Sequence, residues 1–303
     1  LLDCDDERVD WWVIELSSYQ LADLDAQPDI ALLLNLSPEH LDWHGSEDAY
    51  MRDKLRLAEL AGERPVVANA SDTLLRNALA DYRLVKWFNS QQGIHVKSGR
   101  LFDGDSPLDV VMPDSMPGVH NLANLAAALT ALQLTGAKLD TALEAVASFR
   151  GLPHRLQRLG EVDGVAFIND SISSTPVATA AALEALSSEN ITLIVGGLDR
   201  GVDWTPYMSA IAQHLPRAVI GIPDSGADIV RCMTGAGLQP PGGLHCADSL
   251  EAAVTLARES TPANGTVLLS PGAPSFPRFR DFRERGCHFA RLSGLEADDR
   301  EPA

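Results

Sequence analysis

Two α/β domains, each built on a largely parallel sheet, are what this sequence predicts, and three observations carry that prediction. Short β-type runs alternate with helix-period stretches along the whole chain, the pattern of strands joined by crossover helices. The strand candidates are continuous apolar runs, as strands buried on both faces require. Midway, "RGLPHRLQRL" breaks the register with Gly151 and Pro153, a linker signal that divides residues 1–149 from 150–303.

In the first domain, "WWVIEL" (11–16) is expected as a strand with Glu15 near its tip, and "DIALLLNLS" (29–37) as another. "SEDAYMRDKLRLAELA" is a helix: Ser46 is an N-cap residue, and Glu47 and Asp48 complement the dipole of the first turn. "RPVVANA" is a further strand, and 84–111 is short, more exposed β structure. In "GVHNLANLAAALTALQLTGAKLDTALEAVASF" apolar residues recur at three and four, with Gly136 between two helices. The second domain alternates again. "GVAFINDS", "NITLIVGG", "RAVIGI" and "GTVLLSPG" are strands. "STPVATAAALEALSS", "TPYMSAIAQHL", "DSLEAAVTLARES" and "FRDFRERGCHFARL" are helices, the first with Pro176 in its opening turn.

Composition narrows the function. At 303 residues, 45% hydrophobic and 22% charged, the chain can bury two ordinary cores. A formal net charge of −18 argues against nucleic acid or an anionic membrane as partner, since both need a basic face. Small anionic ligands need only a local positive pocket. Cys4, Cys232, Cys246 and Cys287 include no CxxC pair, so neither zinc nor a disulfide framework is expected. No leader and no apolar run near ~20 residues is evident, so the expectation is a cytoplasmic monomer without membrane insertion. The chain starts at Leu1, close to its first strand, which suggests an upstream portion.

Four clusters hold residue types with chemistry. Glu15 ends one apolar run, and "NLSPEHLDWH" brings Glu39, His40, Asp42 and His44 after the next. Carboxylate, imidazole and phosphate oxygens together suit Mg²⁺ or Mn²⁺, and parallel sheets hold ligands at their carboxyl edge. A strand end reaching water is the plainer alternative. Lys54 follows on the next helix, one of only four lysines. A lysine amine can take up CO₂ as a carbamate and become a carboxylate-like ligand, which arginine cannot; a solvated charge is the alternative.

Asn121 and Asn124 share a helix face, and their amides suit a purine edge, unless Asn121 caps the helix. His154 and Arg155 in "LPHR" and Asn169, Asp170 and Ser171 in "INDS" suggest a ligand held between domains. Arginine can clamp its phosphates, and aspartate can accept from its ribose. "VGGLDRG" allows close backbone approach at Gly196 and Gly197 and leaves Arg200 free to grip an anion, although it lacks GxGxxG spacing. "LLSPGAPSFPRFRDF" turns from a strand into a helix whose N-terminus favours a carboxylate. Arg278, Arg280, Arg283, Arg285 and Arg291 there outnumber Asp281 and Glu284.

The segments "ELSSYQL", "NLSPEHLDWH", "YMRDKL", "HNLANLAAA", "GLPHR", "INDS", "VGG" and "LLSPGAPSFPRFRDFRERGCHFA", in this order over residues 11 to about 290, resemble the Mur ligases. Within that family they are most similar to the branch that adds glutamate to a nucleotide-linked muramoyl-alanine. The resemblance implies a P-loop-NTPase-like central ATPase domain followed by a Rossmann-like C-terminal domain that binds glutamate. It implies ATP with Mg²⁺ or Mn²⁺ as cofactors, and UDP-N-acetylmuramoyl-L-alanine and glutamate as substrates. The setting it implies is peptidoglycan precursor synthesis, on which cell shape and division depend. ATP phosphorylates the alanine carboxylate; the glutamate amine then attacks the acyl phosphate, giving amide, ADP and phosphate. Phosphorylation supplies the leaving group that an oxide is not, and cationic groups stabilise the developing charge. Residue by residue, the resemblance puts Glu15 and His40 at the metal, and Lys54 at the lysine that becomes carbamylated. It puts Asn121 and Asn124 on adenine, Arg155 and Asp170 on the nucleotide, and Ser174, Arg200, Ser275 and Phe282 around glutamate.

Three departures matter. Neither a GxxxxGK[ST] P-loop nor the uridine-nucleotide-binding domain is present, so the polypeptide is expected to be a fragment unable to hydrolyse ATP alone. The family's "DSKAT" is "DSISS", with Ile172 in place of lysine, and its "GGDGK" is "GGLDRG", with Arg200 near the lysine position. Both changes fall where glutamate is gripped, and they predict a branch that adds L-glutamate in place of D-glutamate. A folylpolyglutamate synthetase-like ligase and a non-catalytic fragment that kept the fold are the competing readings.

Overall fold

The computed structural model describes residues 9–37, 41–113, 116–186 and 190–297. It divides into two compact units, Leu1–Asp109 with Leu122–Ala142, and Val110–Asn121 with Leu143–Ala303. The first unit's contacts end at Ala142, and an excursion over 110–121 goes with the second unit.

The first unit carries a parallel sheet of β1 (Ala31–Leu33), β2 (Val66–Asn69) and β3 (Val85–Phe88) in that order, with Leu32 opposite Val67 and Val67 opposite Lys86. The short helices α1 (Ser18–Asp23) and α2 (Leu41–His44) precede α3 (Glu47–Ala61), and α4 (Thr73–Ala78) follows β2. Ser46 caps α3 as its sequence predicts, its hydroxyl accepting from the Ala49 N–H at 3.2 Å. Ala58 and Ala61 of α3 and Leu75 of α4 close over Ala31, Leu33, Val66 and Ala68 to make the core. An antiparallel meander, β4 (Ile94–Lys97), β5 (Arg100–Asp103) and β6 (Ser106–Pro107), fills the region expected as short β structure. Helices α5 (Val119–Thr135) and α6 (Leu139–Val146) are separated by Gly136 at φ 81°, a conformation that favours glycine.

"WWVIEL" is not a strand: residues 11–16 are irregular, and Val13 is 99% exposed. β propensity extends a chain, but a strand also needs a hydrogen-bonding neighbour. Among the described residues none lines up beside this segment.

The second unit is a three-layer α/β sandwich. Its sheet runs β11-β10-β9-β12-β8-β7, made of β7 (Gln157–Val162), β8 (Val165–Asn169), β9 (Ile191–Val195), β10 (Ala218–Gly221), β11 (Leu244–Cys246) and β12 (Thr266–Leu269). Every neighbouring pair is parallel except β7 with β8. Side chains alternate between faces along a strand, and here both faces are buried. Ile168, Leu193, Val195, Val219 and Leu268 pack under α7 (Pro176–Leu186), α8 (Met208–Gln213) and α9 (Gly226–Gly235). Phe167, Ile194, Ile220, Val267 and Leu269 pack under α10 (Leu250–Ser260) and α11 (Phe282–Leu292). The linker reading of "RGLPHRLQRL" is corrected at its end, because residues 157–162 are the antiparallel edge strand β7. Burial there is partial, so the apolar-run signal is missing.

Candidate functional site

The carboxyl ends of β8, β9 and β12, adjacent in the sheet, gather the second unit's polar side chains, where open parallel sheets hold ligands. Two cavities lie there and share Leu198. The larger, ≈ 290 Å³, is lined by Ser174, Arg200, Trp204, Ser225 and Gly272 among others; the smaller, ≈ 200 Å³, by Ser275, Arg278, Glu251 and Arg285 among others. Ser225 is buried, and its hydroxyl has no hydrogen-bond partner among the described residues. Gly196 and Gly197 approach backbone closely, as "VGG" predicts: a Cβ on Gly197 would stand 2.3 Å from the Pro274 carbonyl oxygen.

Two buried charges organise these loops. Asp170 is 2% exposed; its Oδ1 accepts from the Leu156 N–H at 3.1 Å and its Oδ2 from Ser173 at 2.5 Å and Ser270 at 2.7 Å. Desolvation pushes its carboxyl up to about 6, against the pull of those donors and of the Arg155 charge. Arg285, on α11, is 1% exposed and binds three neutral oxygens. Its Nε donates to Ser171 Oγ at 3.0 Å, Nη1 to the Ala273 carbonyl at 3.1 Å and Nη2 to the Ser171 carbonyl at 2.7 Å. Burial lowers its pKa to about 10, which leaves it charged at neutral pH. Among the described residues no carboxylate pairs with it, so one guanidinium ties the loop after β8 to the loop after β12.

The helix that ends "LLSPGAPSFPRFRDF" starts at Phe282, and its N-terminus is capped from within the chain. Asp281 caps it, accepting from the Glu284 N–H at 2.8 Å, and Glu284 accepts from the Arg280 N–H at 2.6 Å. The sequence carries its own carboxylates for that dipole.

In the first unit, the His44 side chain is buried and held at both ring nitrogens. One ring nitrogen lies 2.6 Å from Asp53 Oδ2 and the other 3.0 Å from Ser18 Oγ. Glu15 is exposed and Lys54 half-buried. His40 lies outside the described residues. Among those described, no three histidine, cysteine or acidic side chains form a metal cage. Glu15's exposed carboxylate is the kind of oxygen that a magnesium ion arriving on nucleotide phosphates takes, one or two at a time.

Two family models match the chain: the Mur ligase middle domain over residues 1–132, and the Mur ligase glutamate ligase domain over residues 154–273. The chain belongs to the Mur ligase family. It is 43% identical over 290 residues to a UDP-N-acetylmuramoyl-L-alanine–L-glutamate ligase of Xanthomonas oryzae, covering 94% of this chain and 62% of that protein. With the protein of the same name from Xylella fastidiosa it shares 41% identity, over 95% of this chain and 63% of that one. The chain therefore spans about 62% of the length of the curated relatives it matches. In fold it is similar to the MurF ligase of Thermotoga maritima solved with ADP. The TM-score is 0.64 at 21% identity, over 80% of this chain and 58% of that chain.

Against the Mur ligase pattern, the second unit brings Ser174 and Arg200 to one cavity and Ser275 to its neighbour. Phe282 opens α11, and its carbonyl accepts from Ser171 Oγ at 2.8 Å. Arg155 is exposed, and Asn121 donates to the Pro117 carbonyl at 2.8 Å, while Asn124 is exposed one turn further along α5. The sequence motifs give Ser173, Ser225 and Ser270 no role. Ser270 had a usable signal, as the first polar residue after a buried strand. No described helix is long and apolar enough to cross a membrane.

Proposed function

We propose that the chain is the nucleotide- and glutamate-binding part of an ATP-dependent ligase, acting in the cytoplasm on UDP-N-acetylmuramoyl-L-alanine and L-glutamate. The observation that carries this reading is the placement of Ser174, Arg200 and Ser275 on loops leaving three adjacent strands, within two cavities that share a wall. Arg200 is the only cation among the residues lining the larger cavity, beside Asp199, Asp203 and Asp228. A substrate with two carboxylates and an ammonium can enter such a site in few orientations, because like charges are penalised there. Ile172, half-buried, contributes no second cation. The relatives' names specify L-glutamate, which supports the same stereochemistry here.

On this reading Asn121 and Asn124 serve adenine, Arg155 and Asp170 the nucleotide, and Phe282, with Ser275, the glutamate. Glu15, His40 and a carbamate on Lys54 receive the metal. Magnesium, when bound, neutralises phosphate charge; the protein's own part is to hold the amine near the acyl carbon and exclude water. The full-length gene product, given ATP, Mg²⁺ and UDP-N-acetylmuramoyl-L-alanine, should release ADP with L-glutamate and form the dipeptide amide. Turnover with D-glutamate alone would remove the stereochemical assignment, and no ADP release with either enantiomer would remove the ligase.

A further inference from the structure

We propose that His44 is a positioning residue that sets the separation between the loop carrying Glu15 and the turn of α3 carrying Lys54. The proposal rests on reading Glu15 and a carbamylated Lys54 as one metal-binding wall. The His44 side chain is fully buried, and both ring nitrogens are engaged. With Nδ1–H donated to Asp53, Nε2 is left to accept from the Ser18 hydroxyl. Ser18 opens α1 three residues after Glu15, and Asp53 immediately precedes Lys54. Three rings fix the plane of the imidazole: Tyr19 is stacked at 5.6 Å, while Trp43 at 4.5 Å and Tyr50 at 5.2 Å meet it edge-on. A ring held at both nitrogens and enclosed by aromatic groups has one orientation, and such a satisfied network specifies geometry more than it adds stability.

The far end of α1 has its own fastening. Arg56, two residues beyond Lys54, donates to the Leu24 carbonyl through Nη2 at 3.0 Å and Nε at 3.4 Å. Helix α1 is therefore pinned to α3 at both ends, and His44 is the pin nearer Glu15. Without it, the start of α1 loses the hydrogen-bonded bridge from Ser18 to Asp53, while the Arg56 fastening keeps the helix docked. The consequence is a displaced carboxylate in a folded protein. A carbamate persists where a cation or donors hold its new charge, so a displaced wall should lower carbamate occupancy at Lys54.

The test equilibrates the full-length gene product with ¹³C-bicarbonate, Mg²⁺ and ADP and reads the carbamate carbonyl by NMR, assigned by its disappearance in Lys54→Ala. His44→Phe keeps a ring in the aromatic box but removes both nitrogen contacts. Its carbamate signal should fall several-fold, and half-saturating Mg²⁺ for turnover should rise about tenfold, the usual scale for losing an orienting contact at a metal site. Ser18→Ala, which removes one contact, should move both readouts the same way by less, and it serves should His44→Phe not fold. Wild-type carbamate occupancy and Mg²⁺ dependence in the folded variants, with only a lowered Tm, would overturn the positioning role. Absence of the signal in the wild type would instead overturn the Lys54 reading, and this proposal with it.

Discussion

Asp170 carries a carboxylate into the second unit at a cost that pH can expose. Its folded pKa, raised to about 6 by burial, stands above the ordinary 3.8. The native state therefore holds the proton more tightly than the unfolded chain does. The stabilisation from protonation is complete below about pH 4 and is lost as pH rises through about 6, amounting to roughly 3 kcal/mol. Asp170→Asn keeps an oxygen for the Leu156 N–H and offers N–H groups to Ser173 and Ser270, whose hydroxyls can turn to accept. Urea unfolding at several pH values should show the wild type losing stability relative to the variant between pH 4 and 6. Parallel curves would mean that the ionised carboxylate is fully compensated by its donors.

At the scale of elements, α9 and β10 meet through glycine. A Cβ on Gly221 would lie 2.6 Å from the Gly226 carbonyl oxygen, and one on Gly226 would lie 2.6 Å from the Gly221 carbonyl carbon, so neither backbone can yield without moving a strand or a helix. Gly221→Ala should cost about 2 kcal/mol or more, as overpacking does. Gly235→Ala, at the end of the same helix with nothing within 4 Å of its Cβ, should be neutral or stabilise by up to about 1 kcal/mol. Equal midpoints for the two variants in denaturant would refute this packing account. The same pair shows what sequence could convey. Buried runs such as "NITLIVGG" and "GTVLLSPG" announce β9 and β12, because a doubly covered strand is apolar at every position. Helix α9 gives no such signal, since "GADIVRCMTG" mixes glycines with a short apolar stripe, and neither does β11, with three half-buried or exposed residues. Motif order assigns Ser174, Arg200 and Ser275 to glutamate without showing that they lie on loops leaving three adjacent strands. It did not show that Arg285 is an internal tie or that His44 is enclosed by aromatic rings, because both follow from contacts between residues far apart in sequence.

For the molecule as a whole, the two units have separate cores of unequal extent, and cooperativity should follow the cores. The first has two three-stranded sheets and, among the described residues, a small core under α3 and α4; the second has a six-stranded sheet whose central strands are buried on both faces. Chains with more than one core commonly depart from two-state unfolding. Calorimetry on residues 1–303 should give a total enthalpy exceeding the van't Hoff value, with the first unit melting at lower temperature. L-Glutamate then provides an internal label. A ligand stabilises only the state that binds it, by about 2.7 kcal/mol at a hundred times its Kd. If the cavities beside β8, β9 and β12 take glutamate, only the upper transition should rise. A single transition with equal enthalpies would show that the units unfold together, and a glutamate shift confined to the lower transition would move the binding site out of the second unit.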